Sequence, residues 1–138
     1  MMGRINWSRV VLGGVVAGVV VNLLEGALGF LMHSQWEAAM KNMKPPSGAV
    51  MAAHLVWSFV IGIAAIWLYA AVRPRYGPGP ATALRIGFVV WLFVHATFSF
   101  AAGSMELLPA KIMWISAAWS LPETLFATLA GAWLYREV

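Results

Sequence analysis

Four long apolar stretches occupy most of this 138-residue chain: Val10–Met32, Val50–Val72, Ala83–Ala102 and Ile112–Leu134. A helix needs about 20 mostly apolar residues to cross the hydrocarbon core of a bilayer, and each stretch meets that length. With no water in the core to satisfy backbone groups, such segments cross as helices. The reading is therefore an all-α, polytopic membrane protein, a single four-transmembrane-helix bundle covering residues 1–138. Hydrophobic residues make up 62% of the chain and charged residues 10%, a balance that excludes a water-soluble domain. The short connections leave no room for a second domain.

Lysine and arginine set the expected orientation. Arg4, Arg9, Arg73, Arg75, Arg85 and Arg136 fall on one side of the spans, and Lys41, Lys44 and Lys111 on the other. The positive-inside rule then places both termini and the loop at 73–82 in the cytoplasm. That makes this a multi-pass protein of a bacterial inner membrane, its first span uncleaved. The prolines and glycines of Arg73–Pro80 predict a turn that ends the second span and divides the chain into two helical hairpins. Residues 34–43 read as a short amphipathic helix on the outer surface, and Ser47 as a cap for the second span. Trp7, Trp67 and Trp133 mark one interface and Trp36 and Trp114 the other. Trp57, Trp91 and Trp119 lie deeper, packed between helices or facing lipid. No internal repeat is evident.

The net charge of +4 does not signal nucleic acid. The arginines sit at span ends, where they meet anionic headgroups, and there is no basic stripe interleaved with aromatics. The absence of cysteine excludes disulfides, thiol catalysis and iron–sulfur clusters, and the absence of aspartate excludes a Ser-His-Asp triad. No phosphate-cradling glycine loop and no H-E-x-x-H motif is present.

Each span carries an ionisable residue inside it: Glu25, His54, His95 and Glu123. Such groups are costly inside a bilayer and commonly mark function. By helical spacing they fall on stripes of small and polar residues. The stripes are Gly14, Gly18, Asn22, Glu25, Gly29 and His33; His54, Ser58, Gly62 and Ala65; Trp91, His95, Ser99, Ala102 and Glu106; and Ser116, Ser120, Glu123, Ala127 and Gly131. Small residues allow close helix approach and polar ones bond across it, so the stripes are expected to face one another. At 1.5 Å per residue, Glu25 and His95 lie roughly 12 Å below the outer interface, His54 roughly 6 Å and Glu123 roughly 15–18 Å. Pro122 is expected to kink the fourth span and free the carbonyl of Ala118.

These residues predict a buried Glu/His cluster, open to the periplasm, that binds a small ligand or a divalent metal ion such as zinc, iron or copper. Transport or sensing would follow, with oligomerisation to widen a narrow conduit. Asn22, Ser58, Ser99 and Ser120 would orient the ionisable groups. The structural alternative is that the same groups lock four helices together, the chain being a non-catalytic subunit of a larger membrane complex. A third reading is a redox protein with haem b between His54 and His95, although proteins of that type usually carry paired histidines on each helix. The outer rim holds His33, Met40, Met43, Met51 and Glu106, with Met32, Met105 and Met113 nearby. Thioether with imidazole suits copper, and methionine equally suits an adaptable contact surface.

Three segments carry a family resemblance: Ile5-Asn-Trp-Ser-Arg-Val-Val-Leu-Gly-Gly14, Asn22–Glu25, and Ala70-Ala-Val-Arg-Pro-Arg-Tyr-Gly-Pro-Gly-Pro80. Over its whole length the chain resembles a group of small four-span bacterial inner-membrane proteins that have no assigned function. The resemblance implies the fold and no activity. DoxX-like and sterol-isomerase-like membrane proteins share only the span count.

Overall fold

The computed structural model describes residues 4–137, and all its regular elements are helical. In chain order these are α1 (Trp7–Leu31), α2 (His33–Met40), α3 (Gly48–Tyr76), α4 (Pro80–Trp91), a π turn (Leu92–Ala96), α5 (Thr97–Ser104) and α6 (Ala110–Leu134). Three helical stretches are long and apolar enough to cross a membrane: Trp7–Leu31, Gly48–Tyr76, and Pro80–Ser104, which joins α4, the π turn and α5. Helix α6 has 25 residues and sufficient length. It is less apolar, because Lys111, Pro122, Glu123, Ser116, Ser120, Thr124 and Thr128 interrupt it.

The polarity of α6 follows from its position. It packs against α1, against α4 and α5, and more lightly against α3, whereas α3 packs mainly on α1. With neighbours on most sides, α6 buries Ser120, Glu123, Thr124 and Thr128 as well as its alanines. Its hydroxyls satisfy themselves on the preceding turn: Ser120 Oγ donates to Ala117 O (3.0 Å), Thr124 Oγ1 to Ser120 O (2.7 Å) and Thr128 Oγ1 to Thr124 O (2.8 Å).

Glycine sets the spacing at the arginine-rich end. A Cβ on Gly13 would lie 2.5 Å from Gly131 O, and a Cβ on Gly131 would lie 2.5 Å from Gly13 O. Gly14 and Gly18 meet Ile63 and Phe59 of α3, and Gly62 meets the backbone of α1. The Gly14/Gly18 face is thus consumed in internal packing. Around it lies the larger core, built from Val10, Ala17, Ile66, Tyr69, Ile86, Val90 and Ala127 among others. A second, smaller core at the opposite end gathers Leu28, Met32, Ala102, Ile112 and Met113, with Trp36 and Ala39 of α2 laid against it. This gives α2 its inward face, so residues 33–40 do form the expected short helix.

Ser47 caps α3 by accepting from Val50 N (3.3 Å), and Asn6 caps α1 by accepting from Arg9 N (3.3 Å). The turn after the second span is shorter than its prolines suggest. Helix α3 continues through Pro74 to Tyr76, because Gly77 N–H returns to Arg73 O (2.8 Å) and closes the last turn past the missing donor. The reversal is made by Gly77 (φ +83°) and Gly79 (φ +120°), conformations that favour glycine. A clasp holds this end together. Gly79 N–H donates to Tyr69 Oη (3.1 Å) and Asn6 N–H to Tyr135 Oη (3.3 Å). The two tyrosine rings meet edge-on at 6.0 Å, and Arg73 lies over the Tyr135 ring while pairing with Glu137 (3.2 Å).

Candidate functional site

At the opposite end the helices spread. In α1, Glu25, Gly26, Ala27, Gly29 and Phe30 are exposed, and in α3 every residue from Gly48 to Trp57 is exposed. The two polar stripes on these helices therefore face inward only over their glycine-rich halves. Asn22 holds the boundary, its Nδ2 donating to Gly18 O (2.9 Å) and Leu55 O (3.4 Å). His54 is exposed, and Ser58 turns back to donate to His54 O (3.2 Å).

The third span reaches a similar depth through its π turn. His95 lies within it, half-buried, and Thr97 Oγ1 donates to Leu92 O (2.8 Å) across the widened turn. Such insertions often accompany functional positions. However, α3 packs on α4 and not substantially on the π turn or α5, so the His54 and His95 segments do not meet. Among the described residues no group of three or more His, Cys, Asp or Glu lies close enough to hold a metal ion. The ion pairs found there are His33–Glu37 (3.4 Å), fully at the surface, and Arg73–Glu137. The expected four-way convergence of Glu25, His54, His95 and Glu123 is not what the helices build. The cause is that the outer end of α3 is exposed and α3 has no substantial packing on the π turn or α5, while α1 packs on α3 and α6 and not on the third span.

Glu25 and Glu123 sit on two helices that pack together, α1 and α6, with Glu25 exposed and Glu123 buried. Glu123 is 1% exposed, and both of its carboxyl oxygens are buried without a hydrogen-bond partner. It borders a cavity of about 170 Å³ lined by Leu24, Trp119, Pro122, Glu123 and Phe126. Phe126 and Pro122 are exposed on the outside of the bundle, so the cavity opens on its flank between α1 and α6. Trp119 also lines the cavity and is held by its Nε1–H donating to Leu24 O (3.2 Å). A second indole crosses nearby, with Trp91 Nε1–H donating to Ala117 O (2.9 Å). The inter-helix acceptor on α6 is thus Ala117 O, and α6 runs through Pro122 as one continuous helix.

Ser99 is buried, and Ser120 is buried but engaged with its own helix. Of the outer rim, Met40 is half-buried, and Met43, Met51, His33 and Glu106 are exposed, Glu106 in a left-handed turn (φ +55°). Met32 and Met113 serve as core filler. The cavity walls were missing from the expected site. Trp119, Pro122 and Phe126 lie at positions −4, −1 and +3 from Glu123, the spacing of one helix face, and that spacing was the available signal. Leu24 carries no such mark.

No family model matches the chain, and neither the curated proteins nor the solved structures include a significant match to it.

Proposed function

We propose that this chain is a small four-span protein of a bacterial inner membrane, with α6 as its fourth span and both termini cytoplasmic, that binds a small ligand at Glu123 through the flank between α1 and α6. The observation that carries the reading is the buried carboxyl with both oxygens unpartnered at the edge of an apolar cavity. Leaving a buried polar group unsatisfied costs about 1–3 kcal/mol, and an ionised carboxylate in hydrocarbon costs more. Either protonation state lacks a partner there, and a bound ligand would supply one. Leu24, Trp119 and Phe126 supply apolar walls. Transport or sensing would follow from ligand occupancy between two packed helices.

The test is chemical. Diisopropylcarbodiimide, small and apolar, adds to carboxyls it reaches from the membrane phase, and peptide mapping by mass spectrometry locates the adduct. Modification of Glu123 in membranes, lost in Glu123→Gln and absent with a water-soluble cationic carbodiimide, is the expected result. Modification of the exposed Glu25 alone would show that Glu123 is sealed, and would end the reading.

The uncovered half of α1 and α3, with Glu25 and His54 on it, favours a second reading as an accessory subunit covered there by another membrane protein. Size analysis and cross-linking in native lipid would show a stable larger species in that case.

A further inference from the structure

In a bilayer an exposed leucine needs no partner, but an exposed carboxyl or imidazole does, because lipid tails offer it nothing to bond. Glu25 and His54 are such groups. Both are exposed, and neither takes part in the ion pairs found among the described residues. They stand on one uncovered surface, made by α1 from Glu25 to Ala27 and by α3 from Gly48 to Trp57. Glu25 lies six residues before Leu31, the outer end of α1, and His54 six residues after Gly48, the outer end of α3. Each is therefore about 9 Å of helical rise inside its end.

The packing register brings the two groups to one depth. Helices α1 and α3 run antiparallel: Gly14 packs on Ile63, Gly18 packs on Phe59, and Asn22 Nδ2 donates to Leu55 O (3.4 Å). Continued outward, that register sets Ala52 level with Glu25, two residues from His54, or about 3 Å along the axis. Two copies of a membrane protein share one orientation, so a two-fold axis between them lies along the membrane normal and leaves the depth of every residue unchanged. A self-interface of this kind needs its complementary groups at one depth on the same patch. The outer halves of α1 and α3 meet that condition with one carboxyl and one imidazole. We infer that this surface docks on a second copy of the chain, Glu25 of each copy bonding the partner's His54, so that two pairs form at once. An unrelated partner would have to bring one group for the carboxyl and another for the imidazole to the same depth, whereas a second copy brings both by symmetry. The inference rests on the membrane placement proposed above and not on the Glu123 site, and it assigns to a second copy the cover that the accessory-subunit reading gives to another protein.

Full-length protein carrying Pro78→Cys, labelled with a donor or an acceptor dye, would be reconstituted in vesicles of phosphatidylethanolamine and phosphatidylglycerol, and energy transfer followed as lipid is added. The transfer should fit a dimer. Glu25→His and His54→Glu each set like groups against each other, and each variant should self-associate at least about tenfold more weakly, the scale of two intramembrane hydrogen bonds. Mixing these two variants restores a carboxyl opposite an imidazole at both contacts, so heterodimers should form within about threefold of the wild-type affinity. That rescue would also show that both variants fold. Glu25→Gln and His54→Gln are milder changes. Either alone breaks both pairs, so each should weaken the dimer about tenfold and the double variant no further. An inserted, helical wild type that stays monomeric would overturn the interface and leave the membrane placement and the Glu123 site standing. A dimer unaffected by the glutamine variants, or a mixture no tighter than its components, would overturn it equally. Protein that does not insert into the vesicles would overturn the interface and the membrane placement together.

Discussion

Gly13→Ala tests the architecture at its tightest point. The added methyl would lie 2.5 Å from Gly131 O and 3.2 Å from both Gly131 C and Ile66 Cγ2. A Cβ essentially never comes within 3.0 Å of a non-bonded heavy atom, so α1 and α6 would have to separate by about 0.5 Å. There is no free direction for that movement. Gly14, the next residue, is already pressed on Ile63 of α3, and Ile66 is fully buried. Overpacking of this kind costs about 1–3 kcal/mol, offset by at most about 1 kcal/mol of helix propensity. Gly26→Ala, on the same helix, provides the control, since nothing lies within 4 Å of its new methyl. It should be neutral or stabilising by up to about 1 kcal/mol. The two variants should therefore differ in sign, with a gap of about 1–3 kcal/mol. Unfolding in maltoside micelles titrated with dodecyl sulfate, followed by circular dichroism, measures both. Equal midpoints, or a higher midpoint for Gly13→Ala, would refute the close α1–α6 contact and with it the placement of the cavity.

Glu123→Met should stabilise the protein by about 1 kcal/mol or more in the same assay, because an unpartnered buried carboxyl is replaced by an apolar chain of similar length; a marked loss of stability would reveal a structural partner for Glu123. Trp119→Phe removes one inter-helix hydrogen bond and should cost about 0.6 kcal/mol, while also increasing carbodiimide modification of Glu123; unchanged labelling would show that the indole does not screen the carboxyl. Orientation is testable directly because the chain has no native cysteine. In intact cells, an impermeant maleimide should label Asn42→Cys and spare Pro78→Cys, and the opposite pattern would invert the topology.

The helices were legible because span length and apolar content are properties of consecutive residues. The first helix runs Trp7–Leu31 where a span at 10–32 was expected, and the last helix runs Ala110–Leu134 where a span at 112–134 was expected. Pro74 was misleading because a proline in the final turn removes a single bond, and Gly77 closes that turn from beyond it. The inward facing of Ser120, Glu123, Ala127 and Gly131 followed from spacing alone. Spacing failed for Glu25, Gly29 and His54. Periodicity assigns a face, and which neighbour covers that face depends on where helices diverge. That divergence begins beyond Gly18 and Gly62, where residues small enough for backbone contact give way to Leu55, Val56 and Trp57.

Glu123 stands without a partner although α6 has close neighbours, among them the π turn that carries His95: it takes part in neither ion pair, and the other span histidine, His54, is exposed on α3. What stands there is a carboxyl paired in neither state, behind an indole that is itself hydrogen-bonded, at the mouth of a cavity. A group serving only helix packing would be better replaced by serine or threonine, which on this very helix satisfy themselves on the preceding turn. Glutamate at this position makes no such bond, and that difference is what the proposed ligand site rests on.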